Sequence, residues 1–474
     1  MLVKFSVENY KSIYDKIELD FRIKPKNPTD EANINANPFV LKINDDYISK
    51  LCLFYGHNGS GKTNIFEAIL NICLSNVDNG FLDNIYKPNM IYGENEESKF
   101  EIEFYSNVLN KNKNEYSLYS YKLNVKNKEI NDEYKKSIQI TKEILKENGN
   151  LVFERTNNDL DENYIINNKN IVIPSDETFI LFLMDIYTKE KKEFETIIKY
   201  RKLMTSILST NLGINYLETP NFTNTLFNEI SNNLDKYKLL DFYIDLIKIA
   251  DLGIDDISFE LDDQYEKIES FTKDVRKSYE ENKSKLKKDK DFLKKEKYID
   301  NIISIMENLE ALNDNAVKKR KKVISYRNGK KALFDEIESD GTKIYAFHMF
   351  NIVTSLKNGS LSLHDEFYGV QPDLIKTVFF LFRKNMYKEI EQTSQLFMTT
   401  HDIMLMDFKY LLLEQVKFVV KEKNKTYIYS ASDIEGLTKE NLIENYKNNK
   451  LGAKYFPRAY DLPIKMYSNN DNEL

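Results

Sequence analysis

Cysteine is nearly absent: the chain of 474 residues has two, Cys52 and Cys73, both beside a glycine-rich loop. A disulfide framework is therefore not implied, and a reducing cytosol fits. No stretch reaches the ~18 uninterrupted apolar residues that a membrane-spanning helix needs. The opening, MLVKFSVENYKS, has no long apolar core behind a basic head, so no signal peptide is expected there. A positive charge excess is also missing, since 75 acidic against 68 basic residues give a net charge of −7. The whole protein is thus not a basic nucleic-acid binder, and any such contact must come from a local patch. No internal repeat and no Gly/Ser linker breaks the sequence. With 41% hydrophobic and 30% charged residues, a well-buried core is feasible, in two or three ordinary domains or one large interrupted one.

The first 180 residues or so read mostly as strands. VKFSV (residues 3–7), KIELDF (16–21), KFEIEFY (99–105) and LYSYKLNV (118–125) alternate apolar and polar side chains, as half-buried strands do. LCLFY (51–55) is apolar throughout, the pattern of a strand buried on both faces. NIFEAILNICL (64–74) has helical spacing instead. From about residue 189 to 322 the period is helical, carried by Leu203, Ile207, Leu226, Ile230, Leu234, Leu239 and Leu246, with little proline or glycine. Two basic runs there, KSKLKKDKDFLKKEK (283–297) and KKRKK (318–322), read either as solvated helix faces or as surfaces for nucleic acid or an acidic partner. Short β-branched or aromatic runs return in SLSLHDEF (360–367), QLFMTT (395–400), VKFVV (416–420) and TYIYS (426–430). Two strand-rich segments flanking a helical middle imply an α/β domain split in sequence by a mainly helical insertion. The expected boundaries are 1–185, 186–324 and 325–474.

The glycine-rich loop is GHNGSGKT, residues 56–63, and matches G-x-x-x-x-G-K-[ST] between a buried strand and a helix. The glycines allow successive backbone N–H groups of Gly56, His57, Asn58, Gly59, Ser60 and Gly61 to turn inward around phosphates. The helix N-terminus, opening at Lys62, Thr63 and Asn64, adds partial positive charge. Lys62 can reach the β- and γ-phosphates, and the Thr63 hydroxyl can hold Mg²⁺. The alternative is an ordinary glycine-rich turn. A metal-side carboxylate is expected at the end of a neighbouring strand, where Asp365 stands. Glu366 follows it, placed to polarise water as a general base. Adjacent acids at a strand end are also common on any surface. THD, residues 400–402, ends another strand. His401 there reads as a γ-phosphate sensor or as a satisfied core histidine. Finally, ESDGT (338–342) precedes a helix expected over 343–356. Ser339 and Gly341 read as a second phosphate-binding surface, or Ser339 as an N-cap alone.

The order of these elements resembles the ABC-type ATPase heads of the SMC, RecF and OLD-like group. In particular it resembles bacterial ATPases of anti-phage systems, such as abortive-infection ATPases and the ATPase components of PARIS and Septu. FSVENYKSI (5–13), GHNGSGKTNIFEAI, ESDGTK, DEF, MTTHD and the stretch 411–434 carry the likeness, which covers both strand-rich segments. It implies a P-loop NTPase with an ABC-like head, ATP and Mg²⁺ as ligands, and a dimer or higher oligomer through the heads. Ser339 and Gly341 of one subunit would complete the site containing Lys62 of another, with Glu366 driving slow hydrolysis and His401 as the γ-phosphate switch. Against the family pattern, Ser362 and His364 interrupt the strand before Asp365, and Val370-Gln371-Pro372 replaces Leu-His-Pro. No glutamine lid, no Cys-x-x-Cys hook, no Toprim signals and no His/Asn nuclease motif are seen. The resemblance thus implies a cytoplasmic ATPase without its own effector, gating a separate toxin or nuclease in response to a phage-derived trigger. A RecF-like DNA repair or replication accessory, or a scaffold that uses ATP only to dimerise, are the alternatives.

Overall fold

The computed structural model describes residues 1–76, 82–112, 114–128, 137–166, 171–186, 191–207, 239–250, 253–261, 321–367, 370–385 and 392–453. The chain divides into two compact units, Met1–Ile214 with Thr354–Leu474, and Asn215–Val353.

In the first unit, period-two alternation builds an antiparallel sheet. It contains β1 (Leu2–Glu8), β2 (Ile17–Asp20), β6 (Ser98–Ser106), β7 (Ser117–Lys128), β8 (Ser137–Glu147), β9 (Asn150–Thr156) and β10 (Asp159–Asn163), in the order β10-β9-β8-β7-β6-β1-β2. Between β2 and β6 lie α1 (Pro28–Ala36), a hairpin of β3 (Val40–Ile43) and β4 (Asp46–Ser49), then β5 (Leu51–Tyr55) and α2 (Lys62–Leu74). The helices α3 (Phe179–Ile186) and α4 (Lys191–Thr205) follow β10. A second sheet assembles from distant parts of the chain, with β14 (Leu361–Asp365), β15 (Gln395–Thr400), β16 (Val416–Glu422) and β17 (Lys425–Ser430) in the order β14-β15-β5-β16-β17. The pairings β14–β15, β15–β5 and β5–β16 are parallel, and β17 turns back antiparallel. Both neighbours of β5 therefore come from the C-terminal segment. All five of its residues are buried, as a central parallel strand requires.

Helix α2 brings the two sheets into one core. Its Ile65, Phe66, Ile69 and Ile72 share a cluster with Phe5, Phe100 and Tyr121 of the antiparallel sheet and with Phe54, Phe397 and Val419 of the parallel one. Each such side chain, buried fully, contributes about 1.5–3 kcal/mol. Phe66 meets Phe54 edge-on at 5.1 Å, and Phe21 reaches across to Phe397 at 4.4 Å between centroids. Where the sheets meet, the buried Gln395 amide accepts from Leu2 N at 2.6 Å and donates to the carbonyls of Leu2 and Ser49 at 3.0 and 2.8 Å. The stitch fixes β1 against the start of β15.

The second unit contains α5 (Leu240–Ile249), an antiparallel sheet of β11 (Asp256–Leu261), β12 (Lys321–Arg327) and β13 (Lys330–Leu333), and most of α6 (Asp340–Asn358). Tyr243 donates to Ala346 O at 3.0 Å, and Tyr345 to Leu246 O at 3.3 Å. The strand β11 is a non-helical part of residues 189–322, whose spacing reads as mainly helical. Ile257 and Phe259 alternate with Ser258 and Glu260, and pairing with β12 decides between the two periods. Leu203 lies on α4 and Leu246 on α5. Leu226, Ile230, Leu234 and the basic run 283–297 lie outside the described residues. Among those described, no helix is long and apolar enough to cross a membrane.

Candidate functional site

The loop after β5 leaves no room for a side chain at two of its positions, Gly56 and Gly61. A Cβ on Gly56 would sit 2.3 Å from Val419 O and 2.6 Å from Ser60 Oγ. Gly61 has φ +109°, and a Cβ there would lie 2.3 Å from Thr426 Oγ1. The loop is braced from outside. Thr426 Oγ1 donates to Ser60 O at 2.8 Å and pairs with Ser12 Oγ at 2.7 Å. Asn64 Nδ2 donates to the same Ser12 Oγ at 2.6 Å. Asn64 thus steadies the loop's flank, tying the β1–β2 turn to the P-loop helix. His57 and Asn58 stand at the loop's outer side, on a cleft of about 770 Å³ also lined by His401, Asp402, Tyr446 and Lys447.

Three chain segments converge behind this loop, at the C-terminal ends of β5, β14 and β15, where parallel sheets place their ligand sites. Lys62, 6% exposed, directs Nζ to Gly56 O at 2.8 Å, His57 O at 3.4 Å and His401 Nε2 at 3.0 Å. Glu366 Oε1 lies 3.7 Å from the same ammonium and 3.0 Å from His401 Nε2. Burial pulls the Lys62 pKa below its ordinary value, while Glu366 and Asp365 act to raise it. A buried cation facing carbonyls and one neighbouring carboxylate suits the arrival of an anion such as a phosphate. Ser60 Oγ, buried with no partner among the described residues, adds an unused polar group in the same loop. Thr63 Oγ1 donates to Asp365 Oδ2 at 2.7 Å, so the hydroxyl and the acid expected beside Mg²⁺ already face one another. Among the described residues no cluster of three or more His, Cys, Asp or Glu forms a cage. A hydroxyl and one carboxylate, with nucleotide phosphates as further ligands, is a donor set that suits Mg²⁺.

The backbone is strained where the chain leaves β14. Glu366 has φ +57°, a left-handed conformation that glutamate avoids. Its amide donates to Thr399 Oγ1 at 3.1 Å, and Thr399 Oγ1 donates to Asp365 Oδ1 at 2.6 Å. The polar interruptions of β14 satisfy each other, since Ser362 Oγ and His364 Nε2 lie 2.7 Å apart and buried, with the His364 ring against Phe367 at 5.0 Å. Gln371 and Pro372 open the helix α7 (Pro372–Leu381), where proline suits the first turn.

Ser339 and Gly341 belong to the second unit. Ser339 Oγ accepts from Thr342 N at 3.2 Å and so caps α6. The preceding Glu338 is anchored by Ser325 Oγ at 2.7 Å and by Arg327 Nε at 2.9 Å, with Arg327 Nη2 on its second oxygen. The structure therefore gathers Lys62, Thr63, Asp365, Glu366 and His401 in the first unit and sets Ser339 and Gly341 at a helix start in the second. Thr399, Ser12 and Thr426 were not singled out by sequence reasoning. Their partners lie 33 to 414 positions away, beyond any local pattern. Of KKRKK, only its last two positions fall among the described residues, at the start of β12.

The sequence matches no curated protein. Among solved structures, it is similar to the Smc head domain of Pyrococcus furiosus bound to the C-terminal domain of ScpA, with TM-score 0.38, 13% identity, and 95% of this chain and 99% of that one covered. Against the SMC head domain of Thermotoga maritima the TM-score is 0.35 at 12% identity, covering 90% and 98%. The Smc head with coiled coil and joint of Pyrococcus yayanosii gives 0.35 at 14%, covering 94% and 99%. Family membership rests on sequence: residues 51–407, from the P-loop strand past His401, match the family described as "AAA domain, putative AbiEii toxin, Type IV TA system". The chain, an α/β protein with a P-loop ATPase fold, belongs to this family of AAA domains.

Proposed function

We propose that the chain binds and hydrolyses Mg-ATP at the site around Lys62, and that it is the sensor or gating subunit of a bacterial anti-phage system acting in the cytoplasm with a separate effector. The observation that carries the ATPase reading is the convergence of three segments: Thr63 meets Asp365 at 2.7 Å, and Lys62, Glu366 and His401 meet pairwise at 3.0–3.7 Å. In this reading the loop amides and Lys62 hold the phosphates, and Thr63 with Asp365 holds the metal, which would neutralise phosphate charge. Glu366 orients and deprotonates the attacking water. His401 Nε2 faces both Lys62 and Glu366, so its tautomer reports whether the ammonium has been drawn away to a phosphate.

Ser339 and Gly341, presented at the start of α6, would complete the site of a second copy. Two heads would then close on two nucleotides. The experiment is the solution mass of Glu366→Gln by light scattering, with and without Mg-ATP. The mass should rise with nucleotide, and Ser339→Arg should prevent the rise. Nucleotide binding without any change in mass would remove the composite site.

The family description names a toxin of a type IV toxin–antitoxin system, which supports a role in abortive infection. A gating subunit expressed alone leaves growth unchanged, and arrest requires its partner. Arrest by this chain alone, abolished by Lys62→Ala, would make the chain itself the toxin.

A further inference from the structure

We propose that Thr399 is a positioning residue for hydrolysis: one hydroxyl on β15 sets both acids of β14 at once. This deepens the ATPase reading above and rests on it. Thr399 stands directly opposite Asp365 in the parallel β14–β15 register and is wholly buried. A hydroxyl has one proton and two lone pairs. The proton goes to Asp365 Oδ1 at 2.6 Å, the short distance of a bond to a carboxylate. A lone pair receives the Glu366 amide at 3.1 Å.

Both bonds have consequences for the site. Holding Asp365 Oδ1 fixes the carboxylate rotamer and leaves Oδ2 for Thr63 Oγ1 at 2.7 Å, on the side where a metal would sit. Holding the amide retains Glu366 in its left-handed conformation, at φ +57°. From that conformation the side chain turns back, so that Oε1 reaches His401 Nε2 at 3.0 Å and Lys62 Nζ at 3.7 Å. An extended Glu366 would put its side chain on the sheet face opposite that of Asp365, whose carboxylate meets Thr63 of the P-loop helix. The preceding residues of β15, Leu396, Phe397 and Met398, are apolar and fully buried. Valine at 399 would pack there equally well, and the hydroxyl is what the two acids use.

The test compares Thr399→Val and Thr399→Ser in the full chain. ATP turnover is titrated with Mg²⁺, and binding of a fluorescent ATP analogue is measured without metal. Thr399→Val should lower kcat about 10- to 100-fold and raise the Mg²⁺ concentration for half-maximal turnover about tenfold. Its metal-free nucleotide affinity should stay within about threefold, because the P-loop is untouched. Thr399→Ser should keep wild-type values within about threefold. If Thr399→Val does not fold, Thr399→Cys replaces it, with the same expected losses. A valine variant with the wild-type kcat and Mg²⁺ midpoint would overturn the proposal. So would a serine variant as impaired as valine, since methyl packing would then be the cause. Wild-type protein with no Mg²⁺-dependent hydrolysis sensitive to Glu366→Gln would sink the ATPase reading itself. Hydrolysis that is present and indifferent to Thr399→Val sinks only the role of Thr399.

Discussion

Lys50 enters the P-loop strand from its far end, buried, with its ammonium on the Gln392 carbonyl. Burial and the nearby Lys384 push its pKa from 10.5 down to about 7. The fall of about 3.5 pH units, at about 1.36 kcal/mol each, sets a ceiling near 5 kcal/mol on the cost of keeping this lysine inside. The direction with pH follows from proton counting. Between pH 7 and 10.5 the unfolded chain holds a proton that the folded chain has released, so stability rises with pH across that window. Below pH 7 the full cost applies. From pH 6 to pH 9 about 3 kcal/mol of it should be relieved. Lys50→Met removes the titration and roughly keeps the volume. It also removes the Lys50 hydrogen bond to the Gln392 carbonyl, an offset of about 1–3 kcal/mol that does not vary with pH. The α-amino group of Met1, lowered from 8.0 to about 5 by burial and by Lys50, adds its own rise in stability between about pH 5 and 8, which wild type and variant share and which therefore largely cancels in their difference. The assay is urea unfolding of wild type and variant at several pH values. The stability of Lys50→Met relative to wild type should decline by about 3 kcal/mol from pH 6 to pH 9. A difference that stays flat within about 1 kcal/mol would refute the reasoning, because a lysine that remains charged in the fold has no such slope.

Other expectations concern the site and the core. At Glu366, held at φ +57°, Glu366→Gly should be as stable as Glu366→Ala or more stable by up to about 1 kcal/mol, reversing the usual order; a clear advantage for alanine in denaturant midpoints would mean the strain is not there. Gly61→Ala should cost about 2–5 kcal/mol, from its φ of +109° and the 2.3 Å approach to Thr426 Oγ1. Adding Thr426→Ala should recover only the overpacking part, and strictly additive losses would exclude the clash. Arg155 Nε lies 2.8 Å from Glu143 Oε2 with both side chains fully buried, and the glutamate also accepts from Tyr121 and Phe179 N. Arg155→Met should destabilise by about 3–5 kcal/mol, and Glu143→Gln added to it should restore part of that; an Arg155→Met protein as stable as wild type would contradict the buried pair.

The strands around the P-loop were legible because each carries its own period: LCLFY reads as a doubly buried strand, and β5 is one. The meander β8–β10 escaped notice even though Asn148-Gly149, between two alternating runs, is a strong hairpin signal, and Asn148 does take φ +47°. In β11, local spacing was ambiguous and cross-strand pairing with β12 settled it. The grouping of Lys62, Thr63, Asp365, Glu366 and His401 could be expected in advance, because the phosphate and metal of the proposed function would call for those residue types at strand ends. Thr399 could not. A threonine at the end of a buried strand needs no explanation in the sequence, and its proposed role exists only through the register that sets it opposite Asp365. Ser12 and Thr426 were hidden for the same reason, since they brace the loop from the two ends of the chain.

The strand order has a consequence for synthesis. Strand β5 is wholly apolar and pairs only with β15 and β16, and β15 begins 340 positions after β5 ends (395 − 55). At about 5–20 residues per second the ribosome takes roughly 17–70 s to deliver those partners. For that interval a strand meant for the centre of a sheet has two bare edges, the condition that invites wrong pairing or a chaperone. A nascent chain in that interval also carries a glycine loop with no acids behind it. On the ATPase reading proposed above, a message truncated between the two segments would release a P-loop that cannot turn over nucleotide, and hydrolysis would be available only to chains read through to the second strand-rich segment.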